Sequence, residues 1–170
     1  MNRHPGGAMH TRHMLELAAL PDGARILDMG AGAGEAVAMM QELGYQADGI
    51  DLDPQGNNVR QADLLATGLP AECYDAVLSQ CSFYISGNVP GALKETHRIL
   101  KTGGTLMLSD VEFTPLRKLA EEAGFQILYD EDLTMVWREY YIEALWRGED
   151  CKCKYPRGTC GYRLLIATKE

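Results

Sequence analysis

The chain has 170 residues, enough for one domain with one core; a chain of this size buries roughly 68–70% of its unfolded surface and needs no disulfide or metal to hold it. Hydrophobic residues make up 46% and charged residues 24%, the balance of an ordinary globular protein. Sixteen basic side chains against 24 acidic ones leave a net charge of −8, which argues against nucleic acid and against an anionic membrane surface as partners.

In chain order, residues 1–7 lack the apolar stretch of a signal peptide, and no apolar run approaches the ~18 residues of a membrane span. Five cysteines, an odd number, read as a reduced, cytoplasmic protein. Met9, Leu15, Leu17, Ala18 and Leu20 have loosely helical spacing, closed by the turn Pro21-Asp22-Gly23. Arg25–Met29 reads as a buried strand and Gly30–Gly34 as a loop. A helix carrying Val37, Met40 and Leu43 follows and stops at Gly44, and Ala47–Leu52 is a second strand. Between Asp53 and Gln61 the residues are turn formers with no room for a helix, and a third strand is expected near 59–64. The fourth strand is Asp75–Ser79. Val89-Pro90 opens a helix with Lys101 in its last turn and Gly103-Gly104 as its stop, and Thr105–Ser109 is the fifth strand. Thr114 as N-cap and Pro115 at the first position open another helix, with Leu116, Leu119, Ala120 and Ala123 on one face and Gly124 at its end. Phe125–Tyr129 is the sixth strand. Residues 133–146 form an amphipathic helix with Val136, Trp137, Tyr140, Tyr141, Ala144 and Leu145 as its stripe, and after a polar loop Tyr162–Thr168 is the last strand. Strands alternating with helices point to a mostly parallel sheet covered on both faces.

Glycine is in excess, 18 residues of 170, against a usual ~7%. Six of them fall before residue 35: Gly6, Gly7, Gly23, Gly30, Gly32 and Gly34. Gly30, Gly32 and Gly34 stand at alternate positions between a strand and a helix, where a ligand can approach bare backbone and meet the unpaired N–H groups of the helix start. A nicotinamide dinucleotide site wants Gly-x-Gly-x-x-Gly, and counting from either Gly30 or Gly32 the sixth position is not glycine.

Further elements follow in order: Leu27-Asp28-Met29-Gly30-Ala31-Gly32-Ala33-Gly34, Gly49-Ile50-Asp51-Leu52, Ala62-Asp63-Leu64, Leu69-Pro70, Tyr74–Ser79, and Glu95-x-x-Arg98-Ile99-Leu100-Lys101-x-Gly103-Gly104. With these the chain resembles, from about Gly23 to Asp110, the class I S-adenosylmethionine-dependent methyltransferases, and among them the small-molecule branch of the ubiquinone and menaquinone methyltransferases. The resemblance implies an α/β fold that is Rossmann-like and doubly wound, a mostly parallel seven-stranded sheet with an antiparallel C-terminal strand and helices on both faces. It implies one methyltransferase domain over 1–170, with an N-terminal helical lid (1–22), a cofactor-binding core (23–130) and a last part holding a helix, a cysteine loop and the final strand (131–170). The cofactor implied is S-adenosyl-L-methionine, with S-adenosyl-L-homocysteine as product. Its methionine part would lie on Gly30, Ala31, Gly32 and Gly34, with Asp28 steadying loop and amino group. Asp51, with Leu52 beside it, would take the ribose hydroxyls, a task that suits a carboxylate because it accepts two charge-assisted hydrogen bonds, each worth ~1.5–3 kcal/mol. Asp63 and Leu64 would meet the adenine, and Ser79 and Gln80 would line the methionine end. The family places a helix between its second and third strands that is missing here, so one edge of the adenine pocket should be thin or built from a loop.

Methyl transfer needs alignment more than acid–base chemistry, so motifs specify the catalytic residues poorly. Tyr84, in Ser79-Gln80-Cys81-Ser82-Phe83-Tyr84, is a candidate for lining the methyl channel or holding the acceptor, against ordinary packing. Asp110 is a candidate for orienting the acceptor or acting as base, against a loop-capping carboxylate. Thr11 and His10 are candidates for lid contacts, against solvated surface, and His97 reads as structural. Cys151, Cys153 and Cys160 lack the paired Cys-x-x-Cys knuckles of a zinc site. No metal is expected, and three thiolates holding a metal or metalloid are the alternative. The partner expected is a small-molecule methyl acceptor, with a homodimer compatible. The competing readings are a non-catalytic S-adenosylmethionine-binding or regulatory protein, a thiol-assisted metalloid methyltransferase, and an NAD-dependent oxidoreductase.

Overall fold

Strands that are apolar at nearly every position must be covered on both faces, and β1 (Arg25–Met29) shows the pattern: Ile26, Leu27 and Met29 are fully buried. A computed structural model describes residues 5–148 and 160–170. In it α1 (Gly7–Ala18), β1, α2 (Glu35–Glu42), β2 (Gln46–Asp51), β3 (Val59–Gln61), β4 (Tyr74–Gln80), α3 (Val89–Ile99), β5 (Leu100–Glu112), α4 (Leu116–Glu122), β6 (Phe125–Asp132), α5 (Thr134–Trp146) and β7 (Gly161–Lys169) follow one another. One seven-stranded sheet has the order β3-β2-β1-β4-β5-β7-β6. All pairs from β3 to β5 are parallel, and β7 runs antiparallel between β5 and β6. This is the α/β, doubly wound sheet with an antiparallel C-terminal strand that the sequence led us to expect.

Because side chains alternate across a strand, the sheet splits the core in two. Ile26, Ala76, Leu78, Met107, Leu164 and Ile166 face Met14 of α1 and Val37 and Met40 of α2. Leu27, Val77, Leu106, Leu108 and Leu165 face Leu93 and Ile99 of α3 and Leu116 and Ala120 of α4. A third cluster, Val111, Trp137, Tyr141, Cys160 and Tyr162, lies where α5 meets β7. The strand order reverses at β1, with β2 on one side and β4 on the other, so the crevice for a ligand opens beyond the C-terminal ends of these strands.

Three local expectations are corrected. Gly103-Gly104 does not stop the helix: α3 ends at Ile99, Leu100 is already extended, and β5 begins there. The two glycines lie inside β5, where its register against β4 shifts, and Lys101 reaches Asp75 Oδ1 at 2.6 Å rather than a helix end. Thr114 is not an N-cap. Pro115 occupies that place, and Glu112 Oε2 accepts from Leu116 N at 2.9 Å. The stripe of α5 is narrower than expected, since Trp137, Tyr141 and Ala144 are buried while Val136 (47% exposed) and Leu145 (57%) are not. Gly6 gains a reason: it is the left-handed N-cap of α1, and a Cβ there would press on His10 Cβ at 2.7 Å. Cys151 and Cys153 lie outside the described residues. Among the described residues, no helix is long and apolar enough to cross a membrane.

Leu78 is fully buried in β4, which borders the crevice. Leu78→Ala is expected to lower the unfolding free energy by about 2–5 kcal/mol, read by urea denaturation as an earlier midpoint with an unchanged slope.

Candidate functional site

The site grows from the turn between β1 and α2. Gly30 N and Ala31 N both donate to Ile50 O of β2, at 2.8 and 2.9 Å, so the loop leaves β1 leaning on the neighbouring strand. Gly30 (φ 91°) and Gly34 (φ 78°) are in the left-handed region. Each is also hemmed in by the protein itself: a Cβ at Gly30 would overlap Ser82 Oγ, and one at Gly34 would overlap Asn58 Oδ1. Asp51, the last residue of β2, joins the loop through Oδ2, which accepts from Gly32 N at 2.8 Å, while Oδ1 accepts from Asp53 N at 2.9 Å. Each carboxylate oxygen has two acceptor sites, so both keep room for another donor.

Asp28 behaves differently. The residue is 5% exposed, its carboxyl oxygens keep a small contact with solvent, and among the described residues no hydrogen-bond donor reaches them. Burial, and secondarily the charge of Asp51, pushes its pKa up to about 7. Two acids therefore flank the glycine loop, one held by backbone N–H groups and one without a donor.

The connection from β2 to β3 is a loop, as the spacing implied, and it folds back onto the glycine turn. Gln55 N donates to Gly32 O at 2.9 Å, and Asn58 Nδ2 donates to Gly34 O at 3.1 Å. A Cβ at Gly56 would overlap Ala33 O, so this contact needs glycine. Leu52 is exposed. Ala62 N donates to Asp51 O at 2.9 Å, which sets Asp63 next to the Asp51 rung. Asp63 is exposed and Oδ1 accepts from Leu65 N at 2.8 Å, a local turn; Leu64 packs on the core. The segment after it is clamped by α3. Glu95 Oε1 accepts from Thr67 N (3.0 Å) and Thr67 Oγ1 (2.6 Å), and Arg98 binds both Glu95 oxygens and Leu69 O. The guanidinium holds the Glu95 carboxyl below its ordinary pKa.

On the other side of β1, Ser79 is fully buried and donates to Met29 O at 2.9 Å, tying β4 to β1. Gln80, at the end of β4, is half-buried; Oε1 accepts from Thr11 Oγ1 at 3.0 Å, and Nε2 faces Met14 Sδ at 3.6 Å. Ser82 Oγ sits 3.1 Å from Gln80 O and 3.5 Å from Gly30 O. Tyr84 packs against Phe113 with the rings tilted by 32° and 5.1 Å between centroids. Asp110 is buried and accepts from Tyr84 N (3.0 Å) and Val111 N (2.7 Å). Burial raises its pKa to about 6 against the pull of those N–H groups. Its carboxyl holds the turn at 82–84, the loop-capping role. His97 meets Phe125 edge to face at 5.3 Å, a packing role.

Sequence reasoning missed Asn58, Ser82 and a buried chain of polar side chains. In that chain His10 Nε2 lies 2.8 Å from Ser109 Oγ, Ser109 Oγ donates to Tyr162 OH (2.7 Å), and Tyr162 OH lies 3.2 Å from Cys81 Sγ. Asn58 stood in a run read only as turn formers, and the others lie on elements far apart in sequence. Cys160 is buried beside Trp137, Tyr141 and Tyr162, and no group of three metal-binding side chains occurs among the described residues.

Residues 27–108, which carry the glycine loop, Asp51, Asp63 and Gln80, match the family described as "Methyltransferase domain". Over this segment the chain is similar to the class I S-adenosylmethionine-dependent methyltransferases. It is 28% identical over 150 residues to an arsenite methyltransferase of Aquipseudomonas alcaligenes, covering 72% of this chain and 43% of that protein. It is 29% identical over 165 residues to a ubiquinone biosynthesis O-methyltransferase of Xanthomonas axonopodis pv. citri, covering 88% of this chain and 59% of the relative. The chain thus spans less than two thirds of the length of these relatives. The crystal structure of the [4+2]-cyclase SpnF superposes with a TM-score of 0.77 at 21% identity, covering 94% of this chain and 80% of that one, which is a likeness of fold. The nicotinamide reading, already at odds with the glycine spacing, finds no support in this family.

An acid whose pKa is higher in the folded chain favours folding while protonated, and that contribution is lost as pH rises through the folded value. For Asp28 the window runs from about pH 4 to about 7. Asp28→Asn is therefore expected to gain stability relative to the ligand-free wild type between pH 4.5 and pH 8, by about 3 kcal/mol, in denaturation curves at the two pH values. A gap independent of pH would show that Asp28 ionises normally.

Proposed function

We propose that this chain is an S-adenosylmethionine-dependent methyltransferase acting on a small-molecule acceptor in the cytoplasm. The observation that carries the reading is the buried Asp28 carboxyl without a donor, set beside the glycine turn and Asp51. A buried acid of this kind is costly unless a cation or donor meets it, and the amino group of the methionine moiety is such a cation. The cofactor supplies a methyl group activated on a sulfonium and leaves as the thioether.

The chain's own residues bind and orient. Asp28 takes the ammonium, and the backbone of Gly30, Ala31, Gly32 and Gly34 receives the methionine part. Asp51 uses the remaining acceptor sites of its carboxylate for the ribose hydroxyls, with Leu52 beside it. Asp63 and Leu64 border the adenine on a loop held by Glu95 and Arg98. Gln80 lines the methionine end, and Ser79 supports it by fixing β4 to β1. Tyr84, half-buried and backed by Phe113, borders the acceptor, while Asp110 holds the turn that presents it. A small acceptor is supported by the relatives, named for arsenite and for ubiquinone biosynthesis. A reduced compartment is supported by Cys73, Cys81 and Cys160, all free thiols.

Calorimetric titration is expected to show S-adenosylhomocysteine binding and no response to NAD; the reverse would overturn the reading. Asp51→Ala should weaken S-adenosylhomocysteine at least ~10-fold, since a charge-assisted bond is worth about 1.5–3 kcal/mol, and unchanged affinity would remove Asp51 from the ribose. Binding an ammonium requires ionised Asp28, so wild-type affinity should fall about tenfold per pH unit below 7 and level off above it. In Asp28→Asn that dependence should disappear. Transfer of labelled methyl from the cofactor into a metabolite extract tests catalysis itself, and binding without transfer would leave a cofactor-binding protein.

A further inference from the structure

Helix α1 lies against the sheet with Thr11 (1% exposed) and Met14 (fully buried) turned inward. These two side chains take both ends of one amide. Thr11 Oγ1 donates to Gln80 Oε1 at 3.0 Å, and Gln80 Nε2 faces Met14 Sδ at 3.6 Å. One residue earlier on α1, His10 Nε2 is 2.8 Å from Ser109 Oγ. Gln80 and Ser109 are register partners on β4 and β5, so α1 grips a single rung at the C-terminal end of the sheet with consecutive residues.

A free glutamine amide at a strand end can turn over and exchange its oxygen for its nitrogen. The thioether of Met14 is a weak acceptor and no donor, so it favours the nitrogen on its side. A threonine hydroxyl can serve as donor or acceptor, and with the nitrogen on Met14 it must donate to Oε1. The pair fixes one of two orientations and leaves the second N–H of Nε2 for a group at the methionine end. Gln80 also holds Ser82 through its carbonyl, and Ser82 is the side chain a Cβ at Gly30 would strike. This bond is to the Gln80 main chain, which is thereby tied to the same turn as the glycine loop, while the side-chain amide is held by Thr11 and Met14.

We propose that Thr11, supported by Met14, is a positioning residue for the cofactor: it orients the Gln80 amide so that α1 completes the methionine end of the site. The proposal rests on the methyltransferase reading and adds to it a residue outside the matched family segment, 27–108. Thr11 acts through Gln80, and the consequence is energetic coupling between two residues 69 positions apart in sequence.

The test is a double-mutant cycle read by S-adenosylhomocysteine affinity in calorimetry, with thermal unfolding recorded for each protein. Thr11→Val, which keeps shape and removes the hydroxyl, should weaken binding roughly fivefold or more, the scale of one neutral hydrogen bond. Thr11→Ser should restore it to within about twofold. In a Gln80→Ala background Thr11→Val should have no further effect, the non-additivity expected of partners. A helix needed only for packing would make the two changes additive, would lower the melting temperature in step with affinity, and would not be rescued by serine. Any of those outcomes overturns the proposal, as does wild-type affinity in Thr11→Val. If the wild-type chain binds no S-adenosylhomocysteine, the methyltransferase reading fails and the positioning role fails with it. If it binds and the cycle is additive, only the role of Thr11 is lost.

Discussion

A carboxyl group buried near the C-terminal end of β1, with no donor brought to it, is the constraint on which the site depends. Burying an acid in this way works against folding, and the surrounding residues show that the fold could have avoided it. The N–H of Gly32 goes to Asp51, and the N–H groups of Gly30 and Ala31 go to Ile50 O. The loop therefore satisfies one acid, leaves the other without a donor, and keeps them close enough for the charge of Asp51 to add to the burial of Asp28. A positively charged group at this place would relieve the desolvation of Asp28 and the repulsion between the two acids together. The opposite arrangement stands two strands away, where the Asp110 carboxyl accepts from the backbone N–H groups of Tyr84 and Val111.

The missing helix between β2 and β3 is answered by a different construction. Gln55 and Asn58 bond the carbonyls of Gly32 and Gly34, and Gly56 lets the loop come against Ala33. The glycine turn is therefore braced from outside. Glycine at 30 and 34 is required by backbone conformation and by Ser82 and Asn58, and these two requirements stand whether or not a cofactor lies there.

Most of the sheet was legible in the sequence because its strands are short apolar runs separated by turn formers, and the glycine loop was legible through its spacing, while Asp28 and Asp51 were singled out only through the resemblance to a family. What was not legible depends on distant contacts. Gly103-Gly104 looks like a helix stop by local rules, yet the pairing of β5 with β4 draws the extended conformation back to Leu100. Thr114 has the right chemistry for a cap, but Glu112 reaches the helix start first. The apolar positions of α5 fit a broad stripe, and only its actual packing on Val111 and Tyr162 selects Trp137, Tyr141 and Ala144. Asn58, Ser82 and the side chains joining His10 to Cys81 have no local pattern, since each acts on a residue from another element.

The place of β7 has a consequence for the order in which the molecule can be assembled. It lies between β5 and β6 and, among the described residues, is the one strand to which β6 is bonded. On a ribosome, everything from β1 to β5 can pair side by side as it emerges, but β6 must wait, unpaired along both edges, until residues 161–169 arrive. Lys169, near the end of this strand, then threads its ammonium to Leu100 O at 2.8 Å, at the far start of β5. The last nine-residue strand thus works as a wedge that closes the sheet, and a nascent chain stalled before it would expose the edge of β5 and both edges of β6, bare edges of the kind that recruit other chains.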